Sequence, residues 1–174
     1  MAQLLVDVDM LTEEQAGERL RALTWLDDDE PEEMTPEDLV EALEELGVAV
    51  ITNYDAGDSL DEGYAGFFEK IARWFPGTVE ISDVRVIDDE LHWVWNGQPN
   101  SWHTEHMSDR VLNTLTMFEI ITSLPVDGDR EIHQVGWPDH DPATDDAVYV
   151  LATPAQALAL GEALGLTLES LWVE

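Results

Sequence analysis

The sequence predicts a mixed α/β (α+β) domain in which N-terminal helices pack on a β-rich half. Three observations carry this. Helical periodicity with capping signals dominates up to residue 77, and alternation at period two dominates after it. At 174 residues, 44% hydrophobic with seven Trp, the chain has enough apolar mass for one core of ordinary size. The expectation is a single domain over 1–174, with a helical part at 1–77 and a sheet-rich part at 78–174.

The elements follow in order. A first helix is predicted over 13–25, with Thr12 as cap and Gln15 as its capping-box partner. The acidic run "DDDEPEE" at 27–33 reads as a solvated connection. In "TPEDLVEALEELG", Thr35 caps the second helix, Pro36 takes the first position and Gly47 supplies the stop. Leu39, Val40, Leu43 and Leu46 form its apolar stripe, and "VAVIT" at 48–52 reads as a buried strand. A third helix opens at "SLDE" (59–62), with Tyr64, Phe67, Phe68, Ile71, Trp74 and Phe75 at core spacing before Pro76-Gly77. "TVEISDVRVI" and "LHWVWN" then alternate as strands, the second placing Leu91, Trp93 and Trp95 on one face. "GQPNS" reads as a loop, "LNTLTMFEIIT" (112–122) as a long strand, "REIHQV" and "AVYVLAT" as strands, and "WPDHDPATDD" as a loop. Thr153-Pro154 opens a last helix that Gly165 closes.

Charge is the loudest global feature. Thirty-nine Asp and Glu against seven Lys and Arg give −32. Three explanations stand: a high-salt cytoplasm, an acidic surface that imitates a phosphate backbone, and a lineage rich in carboxylates. Direct nucleic-acid binding is not expected, because no basic patch exists to neutralise phosphates. No run approaches the ~20 apolar residues of a membrane span. The start lacks a basic region followed by an apolar core, so the expectation is a cytoplasmic protein. With no cysteine, disulfides, thiolate metal sites and a Cys nucleophile are excluded.

The chemistry-bearing stretch is "NSWHTEHMSDR", which holds His103, Glu105 and His106 in a chain with five histidines. On a strand, His103 and Glu105 point the same way, with Thr104 facing away. An imidazole and a carboxylate are two corners of the two-His-one-carboxylate triad of non-haem Fe(II). A third ligand must come from elsewhere, and the candidates are His133, the residue assigned here, and His140. If the stretch is helical, His103 and His106 share a face instead. The alternative is a polar turn that happens to contain histidines. Trp102 beside His103 is the candidate wall of a cofactor pocket.

The segment 37–125 resembles the N-terminal half of the taurine dioxygenase and clavaminate synthase group of Fe(II)- and 2-oxoglutarate-dependent oxygenases. The residues behind the resemblance are "EALEELGVAVITN", "FFEKIARWFPG", "SWHTE" and "LTMFEIITSLPVDGD". The resemblance implies a partial double-stranded β-helix, His103 and Glu105 as the first two iron ligands, and Fe(II) and 2-oxoglutarate as possible cofactors. The family's distal His and Arg have no counterpart: the last histidine is His140 and the last arginine Arg130. The family's Gly-Gly-x-Thr turn is here "DGDREI", without a threonine. The resemblance therefore implies an incomplete or degenerate oxygenase unless a second subunit completes the site. The other expectation is a non-enzymatic acidic protein with a basic protein partner, such as a DNA mimic that inhibits a DNA-binding or defence protein.

Overall fold

The computed structural model describes residues 1–22, 34–126, 128–141 and 146–171. Apart from the first, its helices begin where short polar side chains take up the free amides of a first turn. The first helix, α1 (Ala2–Asp7), was not expected from the sequence. Helix α2 (Glu13–Ala22) follows, with Thr12 and Gln15 closing the reciprocal capping box at 2.9 and 3.2 Å. The predicted extension of this helix to residue 25 and the acidic run at 27–33 lie outside the described residues. Helix α3 (Pro36–Glu45) has Thr35 and Asp38 as its capping box and Pro36 at the first position. A cap of this kind stabilises a helix by about 1 kcal/mol. Strand β1 (Ala49–Thr52) leads to α4 (Leu60–Ala72), where Ser59 accepts from the Glu62 amide at 3.2 Å.

Two compact units emerge, and they divide the chain differently from the halves read in the sequence. One takes Met1–Ile51 with Pro125–Glu174, and the other takes Thr52–Leu124. The first holds β5 (Glu131–Gly136), β6 (Ala147–Ala152), α6 (Pro154–Leu164) and β7 (Thr167–Ser170) besides α1–α3 and β1. Its sheet runs β1-β6-β5-β7, with β5 antiparallel to both β6 and β7. Val40, Leu43 and Leu46 of the α3 stripe meet Val148 and Val150 of β6, Val135 of β5 and Leu160 of α6 in one buried cluster. Leu5, Leu43, Leu46, Val50, Ile132, Val150 and Leu160 are fully enclosed. Each such side chain stabilises the fold by about 1.5–3 kcal/mol relative to exposure. Polar ties close the ends. The Arg19 guanidinium donates to the Leu46 carbonyl at the end of α3, and Gln156 of α6 donates to the Val8 and Asp9 carbonyls at 3.0 Å each. Gly165 takes φ 69°, the left-handed cap that lets α6 stop and turn into β7.

The second unit holds α4, a three-stranded antiparallel sheet and α5 (Thr114–Ser123). The sheet is a meander of β2 (Ile81–Ile87), β3 (Glu90–Trp95) and β4 (Gln98–His103). Both hairpins turn on two residues with positive φ: Asp88-Asp89 at 48° and 61°, and Asn96-Gly97 at 49° and 77°. That geometry matches the right-handed twist of the strands. Leu91 and Trp93 are buried, and Phe68 of α4 lies 5.1 Å from the Trp93 ring. Asp61 of α4 accepts the Val86 amide at 2.7 Å, so this amide of edge strand β2 is already occupied.

Two elements correct the sequence reading. The stretch 112–122, expected as a strand, is helix α5 over most of its length. Its β-branched and aromatic residues argued for a strand, but Asn113 caps the first turn and Thr116, Met117, Ile120 and Ile121 bury one helical face. Packing on that face overrides a propensity difference of only tenths of a kcal/mol per residue. The loop expected at "GQPNS" is instead strand β4. Its side chains are almost all exposed, so no apolar alternation marked it, and the Asn-Gly turn before it is what pairs it with β3. The mixed α/β class holds, with six helices and two sheets among the described residues and no closed barrel. No helix among them is long and apolar enough to cross a membrane.

Candidate functional site

The "WHTEH" stretch starts at the end of β4 and leaves the sheet as a coil. Strand register puts Trp102 opposite Leu91 and His103 opposite Glu90. Trp102 is half-buried, and its indole N–H donates to Glu119 of α5 at 3.0 Å. His103 and Glu105 are exposed, on either side of Thr104, which is buried. On the outer face, the carboxylate facing His103 across the strands is Glu90, which also stands 3.5 Å from the His92 ring nitrogen. Among the described residues, no three His, Asp or Glu side chains are grouped so as to hold a metal ion. His133, the third ligand assigned from the sequence, sits on β5 of the first unit. It is 3% exposed, and its Nε2–H donates to the Ala152 carbonyl at 3.2 Å.

The inward residues of the stretch do structural work that the sequence did not announce. Thr116 donates to Thr104 at 2.7 Å, and the Thr104 hydroxyl in turn bonds the Tyr64 oxygen. The Asn113 amide also donates to that oxygen, at 3.1 Å. With two donors already on it, the Tyr64 hydroxyl sends its own proton to His106 Nε2, 3.0 Å away. This assigns a neutral His106 with its proton on Nδ1. Burial holds the His106 pKa below its ordinary value, against the opposing pull of Asp89, and burial pushes the Tyr64 hydroxyl up. The Asn113 side chain closes the loop by donating to the Glu105 carbonyl at 2.9 Å. The segment is thus latched to α4 and α5, while its two sequence-nominated ligands face solvent.

A concave site lies in the first unit, on residues the sequence reading left in a helix face and a loop. It is a cavity of about 340 Å³ between the start of α3 and the loop after β5. Pockets for small ligands run from about 300 Å³ upward. Val40, Ile51 and Val148 give it an apolar floor. Glu37 and Glu41, one turn apart on α3, contribute two carboxylates, and Asp139 and Asp146 contribute two more. No Lys or Arg is among the described residues that line it. Trp137 and His140 stack with ring centres 3.7 Å apart at 17°. The Trp137 indole N–H donates to Glu37 at 3.1 Å, which fixes the ring plane. His140 Nε2–H donates to the Asp146 carbonyl at 3.1 Å, leaving Nδ1 as a buried acceptor with no partner among the described residues. Asp139 takes φ 69°, a left-handed conformation that Asp tolerates better than most residues.

A signal for this site was present in the sequence. Like charges at i, i+4 cost a helix a few tenths of a kcal/mol, and Glu37 and Glu41 sit in "PEDLVEALEE" with no basic residue in that helix. A Trp in the polar loop "WPDHDPATDD" was the other clue. What the sequence could not supply is their meeting, since the Glu37–Trp137 bond spans 100 positions. Residues 142–145 of that loop lie outside the described residues. No protein-family model matches the chain, and neither a curated protein nor a solved structure matches it.

Proposed function

We propose that the protein is a non-enzymatic binding protein for a cationic partner, with the acidic, Trp-walled cavity of the first unit as its principal contact. The supporting observation is that cavity: four carboxylates and an aromatic ring around an apolar floor, lined by no Lys or Arg among the described residues. Carboxylates at the rim attract and orient a basic surface, and the desolvated aromatic and aliphatic wall supplies the anchoring contact. The overall charge of −32 adds long-range steering toward such a partner. In its specific form, the partner is a DNA-binding or defence protein whose phosphate-contacting face meets carboxylates in place of phosphates. The test is fluorescence anisotropy with a labelled 20-residue peptide of alternating Arg and Ala. Affinity is expected to fall about tenfold or more between 0.1 and 0.5 M salt. The double substitution Glu37→Gln/Glu41→Gln is expected to weaken binding at least about threefold, and Glu13→Gln/Glu14→Gln, at two exposed positions in the first turn of α2, to leave it unchanged. Equal losses in both double variants would mean adsorption to charge alone, and the reading would fall.

A second reading keeps the Fe(II)- and 2-oxoglutarate-dependent site. What favours it is that His103 and Glu105 are both exposed, flanking a buried Thr104. They are open to a metal and to a third ligand from a second subunit, and on this reading the sheets are remnants of a double-stranded β-helix. Anaerobic Fe(II) titration by calorimetry decides. Binding that tightens with 2-oxoglutarate and disappears in His103→Ala supports the reading, and affinity unchanged by that substitution removes it.

A further inference from the structure

We infer that the cavity of the first unit is an arginine socket: it takes one guanidinium from the partner in preference to a lysine ammonium or a neutral side chain of the same shape. This rests on the partner-binding reading above and makes its chemistry specific. Three features of the cavity converge on this ligand.

Glu37 and Glu41 stand one helical turn apart and both line the cavity. A planar guanidinium carries five N–H donors in a fixed fork and can meet two carboxylates at once, whereas an ammonium is a compact point charge. Trp137 is held in plane by its bond to Glu37 and its stack on His140. A fixed indole favours a flat, weakly hydrated cation that can lie along an aromatic surface. Val40, Ile51 and Val148 form an apolar floor, which suits the three methylenes of an arginine stem below a charged head.

A carboxylate or phosphate guest would meet four like charges and no donor fork, so anionic ligands are excluded by the same residues.

The occupant is committed to arginine by charge and by shape together. Carboxylates alone would accept any cation, and the aromatic wall alone any flat ring. Only a flat cation with an apolar stem uses all of the lining.

The test is two-dimensional NMR on the full chain, following the Trp137 indole N–H cross-peak, assigned by its disappearance in Trp137→Phe. Three capped tripeptides are titrated in parallel: acetyl-Gly-Arg-Gly-amide, its lysine counterpart and its citrulline counterpart. Citrulline keeps the shape of arginine and removes the charge. The expected result is a saturable shift with the arginine peptide, at least about threefold weaker binding of the lysine peptide, and no saturable shift with citrulline. Glu37→Gln/Glu41→Gln, both at exposed helix positions, should weaken the arginine peptide at least about fivefold. Equal response to arginine and lysine, or a response indifferent to the two Glu substitutions, overturns the inference. The 20-residue peptide is measured on the same samples. If it binds in a Glu37- and Glu41-dependent manner while the Trp137 cross-peak stays still, partner binding stands and the arginine socket falls. If it does not bind, both fall.

Discussion

Phe68→Ala is expected to cost the second unit about 3–5 kcal/mol, the transfer and cavity terms of an enclosed aromatic ring. Phe68 is 1% exposed, 5.1 Å from Trp93 across the helix–sheet contact and 5.5 Å from Phe67. It joins α4 to the centre strand of a small three-stranded sheet, and such a sheet depends on a helix packed against its apolar face. Domains hold net stabilities of about 5–15 kcal/mol, so this one ring is a large share. Urea unfolding should show an early transition in the variant, while Phe75→Ala, at a half-buried ring 6.2 Å from Trp95, should cost clearly less. A loss below about 1 kcal/mol at Phe68 would mean that the α4–sheet contact is not what holds this unit together.

Tyr64→Phe is the second large effect, and it tests what the "WHTEH" stretch is for. The ring is fully enclosed, so phenylalanine keeps the packing and removes only the hydroxyl. That leaves the Asn113 amide, the Thr104 hydroxyl and His106 Nε2 each short of a partner. The expected cost is about 1–3 kcal/mol. The same latch makes stability depend on pH. Burial lowers the folded-state pKa of His106 below its unfolded value near 6.5. The unfolded chain therefore binds the proton first as pH falls. The contribution is complete above that unfolded value and is lost as pH drops through the folded one. Unfolding followed at pH 7.5, 6 and 5 should show this slope in the native chain. It should be flatter in His106→Gln. An identical slope in both proteins would show that His106 is not the group responsible.

Much of the fold was legible because its signals are local. Thr12, Thr35, Ser59 and Thr153 each cap a helix three residues ahead of an amide they can reach, and such a rule needs no tertiary partner. The aromatic spacing of α4 and the alternation of β3 likewise encode which face is buried. The failures were at elements whose local signal was weak or opposed. Strand β4 has no apolar alternation, and its existence depends on the register imposed by the Asn-Gly turn. Helix α5 has strand-like residues, and its capping Asn113 and buried face decide against them. In "WHTEH", spacing identified residues able to bind a metal, but not which of them face inward. Thr104, and His106, weighed only as a helical partner of His103, are the ones the core engages, and His103 and Glu105 are the ones left to solvent.

By itself, then, the sequence determined the α/β class, the starts of α2, α3, α4 and α6, the apolar faces of α3 and α4 and the dominance of carboxylates. These follow from composition and from spacings of two to four residues. Tertiary structure alone decided that the first and last parts of the chain share one unit while the segment between them in sequence forms another, since β5 and β6 return to complete the sheet that β1 begins. It also decided that Glu37 and Glu41 face Trp137 and His140. Residues a hundred positions apart meet only because helix α3 and strands β1 and β6 share one core, and burial of that core specifies faces, not the polar residues that happen to line its rim.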